Sequence, residues 1–417
     1  MLRQLEGSRA VAMAVAACRP QVVCAYPITP QTHIVEGVGE MVKSGELAGC
    51  EFINVESEFA AMSVAIGASA AGSRAYTATS SQGLLFMIEA VYNAGGLGLP
   101  VVMTLANRAI GAPINIWNDH SDAMAVRDAG WVMLFAESNQ EATDLHIQAF
   151  RLAEDLSLPV MVNMDGFVLT HATERIDVPT QEQVDAFLPP FEPRQVLDPA
   201  DPVTIGALVG PEAFTEVRFL AHAKQIQAIG HIREVADEFA EAFGRRAGGL
   251  VNTYRAEDAD VVVVALGSIL GTIKDVADQM RERGTKVGVV GITSFRPFPL
   301  DALHEAIGDA RRVVVIERAF SIGFGGVLST DVALAIADGR ARISTVVAGL
   351  GGRAVPEAAI AGVIEDAVAG RLEALRFVDL DRGVVERELA RMAGDRHSGP
   401  SAENVLRDLR AVASRSV

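Results

Sequence analysis

The chain has 417 residues, 50% of them hydrophobic and 21% charged, which sets disorder aside and leaves room for two or three cored domains. Lys and Arg total 36 against 53 Asp and Glu, and the resulting charge of −17, with no basic stripe, opposes binding to a nucleic-acid backbone. The three cysteines, Cys18, Cys24 and Cys50, form no C-x-x-C and have no histidines at ligand spacing, so no structural zinc or iron–sulfur cluster is expected on this chain, and reduced thiols suit a cytoplasmic protein.

Residues 10–18 are apolar and Ala-rich, but they follow Glu6 and end at Arg19-Pro20 without a small-residue cleavage site. They read as a helix capped by Ser8 rather than a signal peptide. Through residue 170, strand-like runs at 21–26, 75–79, 101–106 and 160–164 alternate with helix-like runs at 58–71, 84–93 and 140–156. That alternation predicts a parallel sheet covered by helices. Residues 178–256 are richer in proline and charge and hold one helix-like stretch at 219–243. The strand and helix pattern restarts at 260–267 and continues to about 368, and 371–417 reads as a polar helical tail able to dock on a partner. The expected organisation is therefore α/β, with two open parallel-sheet domains at 1–185 and 256–370, a connector at 186–255 and a tail at 371–417. The longer apolar runs, such as 90–107, are broken by Gly and Pro, so no membrane span is expected.

Four segments carry candidate chemistry. Tyr26-Pro-Ile-Thr-Pro-Gln-Thr32 follows a strand, and its prolines fix the backbone that presents Thr29; a plain strand-ending turn would look the same. Asn54-Val-Glu-Ser-Glu58 precedes a helix of small residues with almost no polar face. Acids at a helix start are ordinarily dipole-favoured surface groups, but this helix should be buried, and a buried acid needs a partner. Thr77-Ala-Thr-Ser-Ser-Gln-Gly83 is a strand end passing into a polar loop, where open α/β sheets bind ligands; its spacing fits neither a dinucleotide fingerprint nor a P-loop. Asn107-Arg108 ends a strand and is followed by Pro113-Ile-Asn-Ile-Trp-Asn-Asp-His-Ser-Asp122. Arg108 can offer a carboxylate a bidentate fork, or can form a structural ion pair with Asp119, Asp122 or Asp128. Asp119-His120 suggests an acid/base pair, although neighbours in sequence need not share a face.

In this order, with Asp165-Gly-Phe167, Phe295-Arg-Pro-Phe-Pro299 and Gly349-Leu-Gly-Gly-Arg353, these segments resemble the α subunit of pyruvate:ferredoxin oxidoreductase and its 2-oxoacid relatives over nearly the whole chain. The resemblance implies a pyrimidine-type domain followed by a domain like the transketolase C-terminal region. It implies that Glu58 hydrogen-bonds the aminopyrimidine ring of thiamine diphosphate, and that Pro27, Ile28, Ser81, Gln82 and Gly83 line the same cofactor. Thr29 and Arg108 match the positions that hold the substrate carboxylate. The activity implied is oxidative decarboxylation of a 2-oxo acid to acyl-CoA and carbon dioxide, with electrons leaving through iron–sulfur clusters.

The chain contains no Gly-Asp-Gly segment of the kind that holds Mg2+ and the diphosphate, and no cluster cysteines. Partners are therefore expected: a β subunit with the diphosphate and Mg2+ half of the site, γ and ferredoxin-like iron–sulfur subunits, and a flavin or NAD subunit if the acceptor is a nicotinamide. No metal ligand is expected here. Trp117 departs from the pair expected of pyruvate-specific relatives and could stack on an aryl group, which would place the complex beside phenylglyoxylate dehydrogenase; packed between domains, it leaves pyruvate as the substrate. Two other readings stand beside this one: half of a non-redox thiamine enzyme of transketolase or decarboxylase type, and a non-catalytic assembly subunit.

Overall fold

The computed structural model describes residues 2–337, 341–394 and 399–413. Fifteen strands occur among them. In the first half these are β1 (Leu2–Glu6), β2 (Val22–Ala25), β3 (Glu51–Asn54), β4 (Ala75–Thr79), β5 (Val101–Asn107), β6 (Val132–Phe135), β7 (Val160–Asp165) and β8 (Thr173–Asp177). In the second they are β9 (Val251–Tyr254), β10 (Val261–Ala265), β11 (Val287–Ile292), β12 (Ser294–Arg296), β13 (Arg312–Glu317), β14 (Arg342–Val347) and β15 (Leu375–Phe377).

Two sheets result. The first has the order β12-β6-β7-β5-β4-β2-β3, the second β15-β14-β13-β10-β11-β9, and β1 and β8 form a small antiparallel ribbon. Strands β4 to β7, β10 and β11 are buried along their whole length, the signature of parallel strands covered on both faces. Alternate side chains of the first sheet enter different cores: Tyr76, Val102 and Val162 lie on one face, Met103, Leu105 and Phe135 on the other. That second core also contains Val262, Val264, Val290 and Val315, so the two sheets share apolar packing across the seam between them. Lys274 and Glu137, 2.6 Å apart, add an ion pair across it.

Several expectations change. Each main sheet carries one antiparallel edge: β9 against β11, and β12, which the second half lends to β6 of the first. The connector's helix is longer than its pattern suggested, Phe214–Phe243, and its Ala228, Ile232, Val235 and Phe239 close the first core. The connector's last residues form β9, and the tail's first residues form β15; three- and four-residue edge strands are too short to show a period. The tail's helices begin only at Arg382. Ser8 is not the cap of the first helix: Glu6 holds that position, and the Ser8 hydroxyl, already inside the first turn, donates to the Thr170 carbonyl at 2.7 Å. No described helix is long and apolar enough to cross a membrane.

Candidate active site

The parallel strands of the first sheet end on one edge, and the loops that follow β2, β3, β4 and β5 carry the candidate residues to that edge, as open α/β sheets do with ligand sites. Glu58 is the first residue of helix Glu58–Ala70; the preceding Ser57 caps it by accepting from the Ala60 amide at 3.2 Å. Glu58 is only 7% exposed, and its carboxylate has no hydrogen-bond or ion-pair partner among the described residues. The Thr79 hydroxyl at the end of β4 is likewise buried and unpartnered. Both meet at Gly83, where a Cβ would stand 2.5 Å from Thr79 Oγ1 and 2.7 Å from Glu58 Oε1. The Thr79 hydroxyl is a buried polar atom left open, which costs free energy unless a ligand satisfies it, and the open Glu58 carboxylate stands beside it.

The segment expected as a loop into one helix is a strained turn into two, Ser81–Phe86 and Ile88–Leu97. Ser81 takes φ +47°, the left-handed region, a cost usually met where it serves a site. Its amide donates to Asp122 Oδ2 at 3.1 Å and its hydroxyl to the Ala109 carbonyl at 2.5 Å. The Gln82 side-chain amide lies against Gly111, where a Cβ would come within 2.5 Å of Nε2 unless Gln82 moved.

Arg108 is buried, and its fork is largely spent on backbone: Nε donates to the Asn115 carbonyl and Nη1 to the Thr29 carbonyl, each at 2.9 Å. No described carboxylate pairs with the guanidinium, so the expected alternative of an ion pair with Asp119, Asp122 or Asp128 does not hold, and Nη2 has no partner among the described residues. Burial draws the Arg108 pKa below its ordinary value, with the Asp122 charge opposing, and the group stays cationic. Thr29 is thus joined to Arg108 through its carbonyl. Pro27 is exposed and Ile28 half-buried on the same loop, which Gln31 pins to β4 by donating to the Ala78 carbonyl at 2.7 Å.

Asp122 is the residue whose role the sequence did not disclose. Fully buried, it accepts from Ser81 N, from Arg108 N at 2.9 Å and from Asn107 Nδ2 at 3.1 Å, clamping the ends of β4 and β5 together. Burial pushes its pKa up to about 6, with those hydrogen bonds opposing. Asp119 and His120 do not act on each other: Asp119 accepts from Ser121 and Gly351 amides, and His120 Nε2 lies 2.6 Å from Asp165 Oδ1. Trp117 is 52% exposed, its ring centroid 4.6 Å from that of Phe167, and its Cβ fills the space beside Gly352 of the second unit. It stands at the seam. Among the described residues, no group of three or more His, Cys, Asp and Glu side chains could hold a metal ion.

Two covered parallel sheets, with open polar groups at one set of strand ends, place the chain among α/β proteins that bind ligands at the carboxyl edge of a sheet. Two family models match it: pyruvate flavodoxin/ferredoxin oxidoreductase, thiamine diphosphate-binding, over residues 13–237, and pyruvate:ferredoxin oxidoreductase core domain II over 259–360. The chain is 48% identical over 385 residues to pyruvate synthase subunit PorA of Methanosarcina barkeri, covering 90% of this chain and 96% of that one. It is 40% identical over 365 residues to ketoisovalerate oxidoreductase subunit VorA of Pyrococcus abyssi, covering 87% and 92%. The chain belongs to the pyruvate flavodoxin/ferredoxin oxidoreductase family. In fold it is similar to the 2-oxoglutarate:ferredoxin oxidoreductase of Magnetococcus marinus, with TM-score 0.66 and 19% identity over 88% of this chain, which spans 65% of that one's length. A split-gene transketolase, at TM-score 0.52 and 14% identity, covers 88% of this chain and is itself 99% covered.

Proposed function

We propose that this chain is the α subunit of a thiamine-diphosphate-dependent oxidoreductase that converts an aliphatic 2-oxo acid and coenzyme A to acyl-CoA and carbon dioxide, releasing two electrons to iron–sulfur clusters on partner subunits. The observation that carries this reading is the open Glu58 carboxylate beside the buried, unpartnered Thr79 hydroxyl at Gly83, a pair of polar groups suited to the edge of a polar ring. Bound there, thiamine diphosphate supplies an electron sink for decarboxylation of a 2-oxo acid. Glu58 receives a ring N–H in a site where burial strengthens the bond, and so holds the proton that the ring exchanges during turnover. Pro27, Ile28, Ser81, Gln82 and Gly83 would line the cofactor there. Arg108 keeps Nη2 for the substrate carboxylate beside Thr29, a charge-assisted contact that orients the 2-oxo carbon. On this reading a β subunit supplies Mg2+ and the diphosphate contacts, and γ and ferredoxin-like subunits, with a flavin or NAD subunit for a nicotinamide acceptor, carry the electrons.

An aliphatic substrate is favoured over phenylglyoxylate because the Trp117 ring already packs on Phe167, and the relatives above are named for pyruvate and ketoisovalerate. The test is Glu58→Gln in the assembled complex. Turnover should fall roughly 10²–10⁴-fold with cofactor still bound, the usual loss for a positioned acid/base group. Near-normal turnover returns Glu58 to a helix-start acid.

A further inference from the structure

A buried charge cluster outside the groups already assigned lies on the seam between the two units. Asp165 ends β7 and is 1% exposed. Its Oδ1 faces His120 Nε2 at 2.6 Å, and its Oδ2 accepts from Ser268 N and Arg318 Nη1, each at 2.9 Å, and from the Ser268 hydroxyl. Ser268 opens the turn after β10 and Arg318 follows β13, so a first-unit carboxylate is held by two residues from adjacent strand ends of the second. The approach is close enough to require glycine at 267, where φ is +73° and a Cβ would meet the Asp165 carboxylate at 3.0 Å and His120 Nε2 at 3.2 Å. Burial works against the charged form of Asp165, but His120 and Arg318 outweigh it and hold the acid well below the usual carboxylate range.

This cluster is wired to the segment that shapes the Arg108 site. His120 N donates to the Arg318 carbonyl at 2.9 Å, Gly351 N donates to Asp119 Oδ2 at 3.0 Å, and Asn115 Nδ2 donates to the Gly351 carbonyl at 3.1 Å. The Asn115 carbonyl is the acceptor on which Arg108 Nε rests. The direction of the Arg108 fork is therefore set partly by where the second unit holds residues 115–120.

We propose that Asp165, His120 and Arg318 form an interdomain positioning device that fixes segment 115–122, and through it the Arg108 guanidinium, so that the second unit governs affinity for the 2-oxo acid. The inference rests on the assignment of Arg108 to the substrate carboxylate. These are positioning residues, and their removal should shift the Michaelis constant for one substrate selectively.

In the assembled complex, Arg318→Leu and Asp165→Asn should raise KM for the 2-oxo acid about tenfold or more, as small misplacements of an orienting group do. Thiamine diphosphate content should be unchanged, and kcat and KM for coenzyme A should stay within about twofold. Arg318→Lys should recover most of the affinity, and Ser268→Ala, which removes only neutral donation, should raise the same KM about threefold. Amide hydrogen exchange in the full chain should quicken over 109–122 and 349–353 and stay slow in β5. A parallel loss of every kinetic constant together with cofactor, in Ser268→Ala as in Arg318→Leu, overturns the proposal, and so does an unchanged 2-oxo acid KM despite faster exchange. Arg108→Lys separates the two assignments. If it leaves KM for the 2-oxo acid unaltered, the carboxylate reading itself falls; if it raises that KM while Arg318→Leu does not, only the positioning device falls.

Discussion

Glu58 and Glu317 occupy comparable places, each at or near a strand end leading toward a helix and each buried, at 7% and 4% exposure, yet the surroundings treat them oppositely. Glu317 accepts from the amides of Val327 and Leu328 at 2.8 and 2.9 Å and from Ser329 at 3.3 Å, the start of helix Leu328–Ala335. Glu58 accepts from none. A folded chain ordinarily satisfies its buried acids, so Glu58, left open, marks a place where the protein relies on something other than itself. Glu317 is spent on the second unit's own architecture; Glu58 is left open at a strand edge of the first.

The largest expected contrast comes from changing both acids. Glu58→Gln should abolish most turnover at little cost in melting temperature, whereas Glu317→Ala, which strands three buried amides, should cost about 1–3 kcal/mol in denaturant unfolding with activity per folded complex retained. If Glu317→Ala instead destroys catalysis in folded complex, the contrast between the units fails. Next, Gly83→Ala puts a methyl between Thr79 and Glu58 and should lower bound thiamine diphosphate, read by cofactor content after gel filtration; full retention would mean that the ring lies elsewhere.

A smaller effect concerns Asp122. Its folded pKa, about 6, lies above that of an unfolded aspartate, so between pH 6 and 4 the folded chain binds a proton that the unfolded chain does not. Stability from this group therefore rises as pH falls through that window and is lost as pH climbs past 6, by on the order of 2 kcal/mol. The stability difference between wild type and Asp122→Asn, followed from pH 7 to pH 4, should move in favour of wild type; a flat difference rejects the clamp's burial as its cause. The smallest effect is expected at Trp117, where Trp117→Ala should change the ratio of pyruvate to phenylglyoxylate efficiencies little. Selective loss of phenylglyoxylate turnover would restore the aromatic pocket.

Much of this was legible in the sequence, for identifiable reasons. Fully apolar runs such as Val261–Ala265 announce covered parallel strands, and the missing polar face of helix Glu58–Ala70 announces that Glu58 is buried. What stayed hidden depends on register. Asp165 lies in a segment that the resemblance included but to which no role was given, Ser268 and Arg318 are unremarkable in sequence, and the three meet only because β7, β10 and β13 end where they do. Asp122 could be read as a possible ion partner, but its true acceptor role involves backbone amides, which leave no residue-type signature. The Arg108 fork was read as facing either a ligand carboxylate or an aspartate of this chain, and the backbone carbonyls that take Nε and Nη1 are invisible for the same reason.

The core shared by the two sheets changes what the covalent connection between them is for. Residues around Val203 to Leu208 are strongly exposed, at 62% and 101% for those two, while Val264, Val290 and Val315 are packed in the same core as Met103 and Phe135. A protease nick near Leu208 would thus sever the polypeptide without parting the molecule. The two fragments should copurify and unfold in a single cooperative transition, because the unit of folding is the pair of sheets and not either half of the chain.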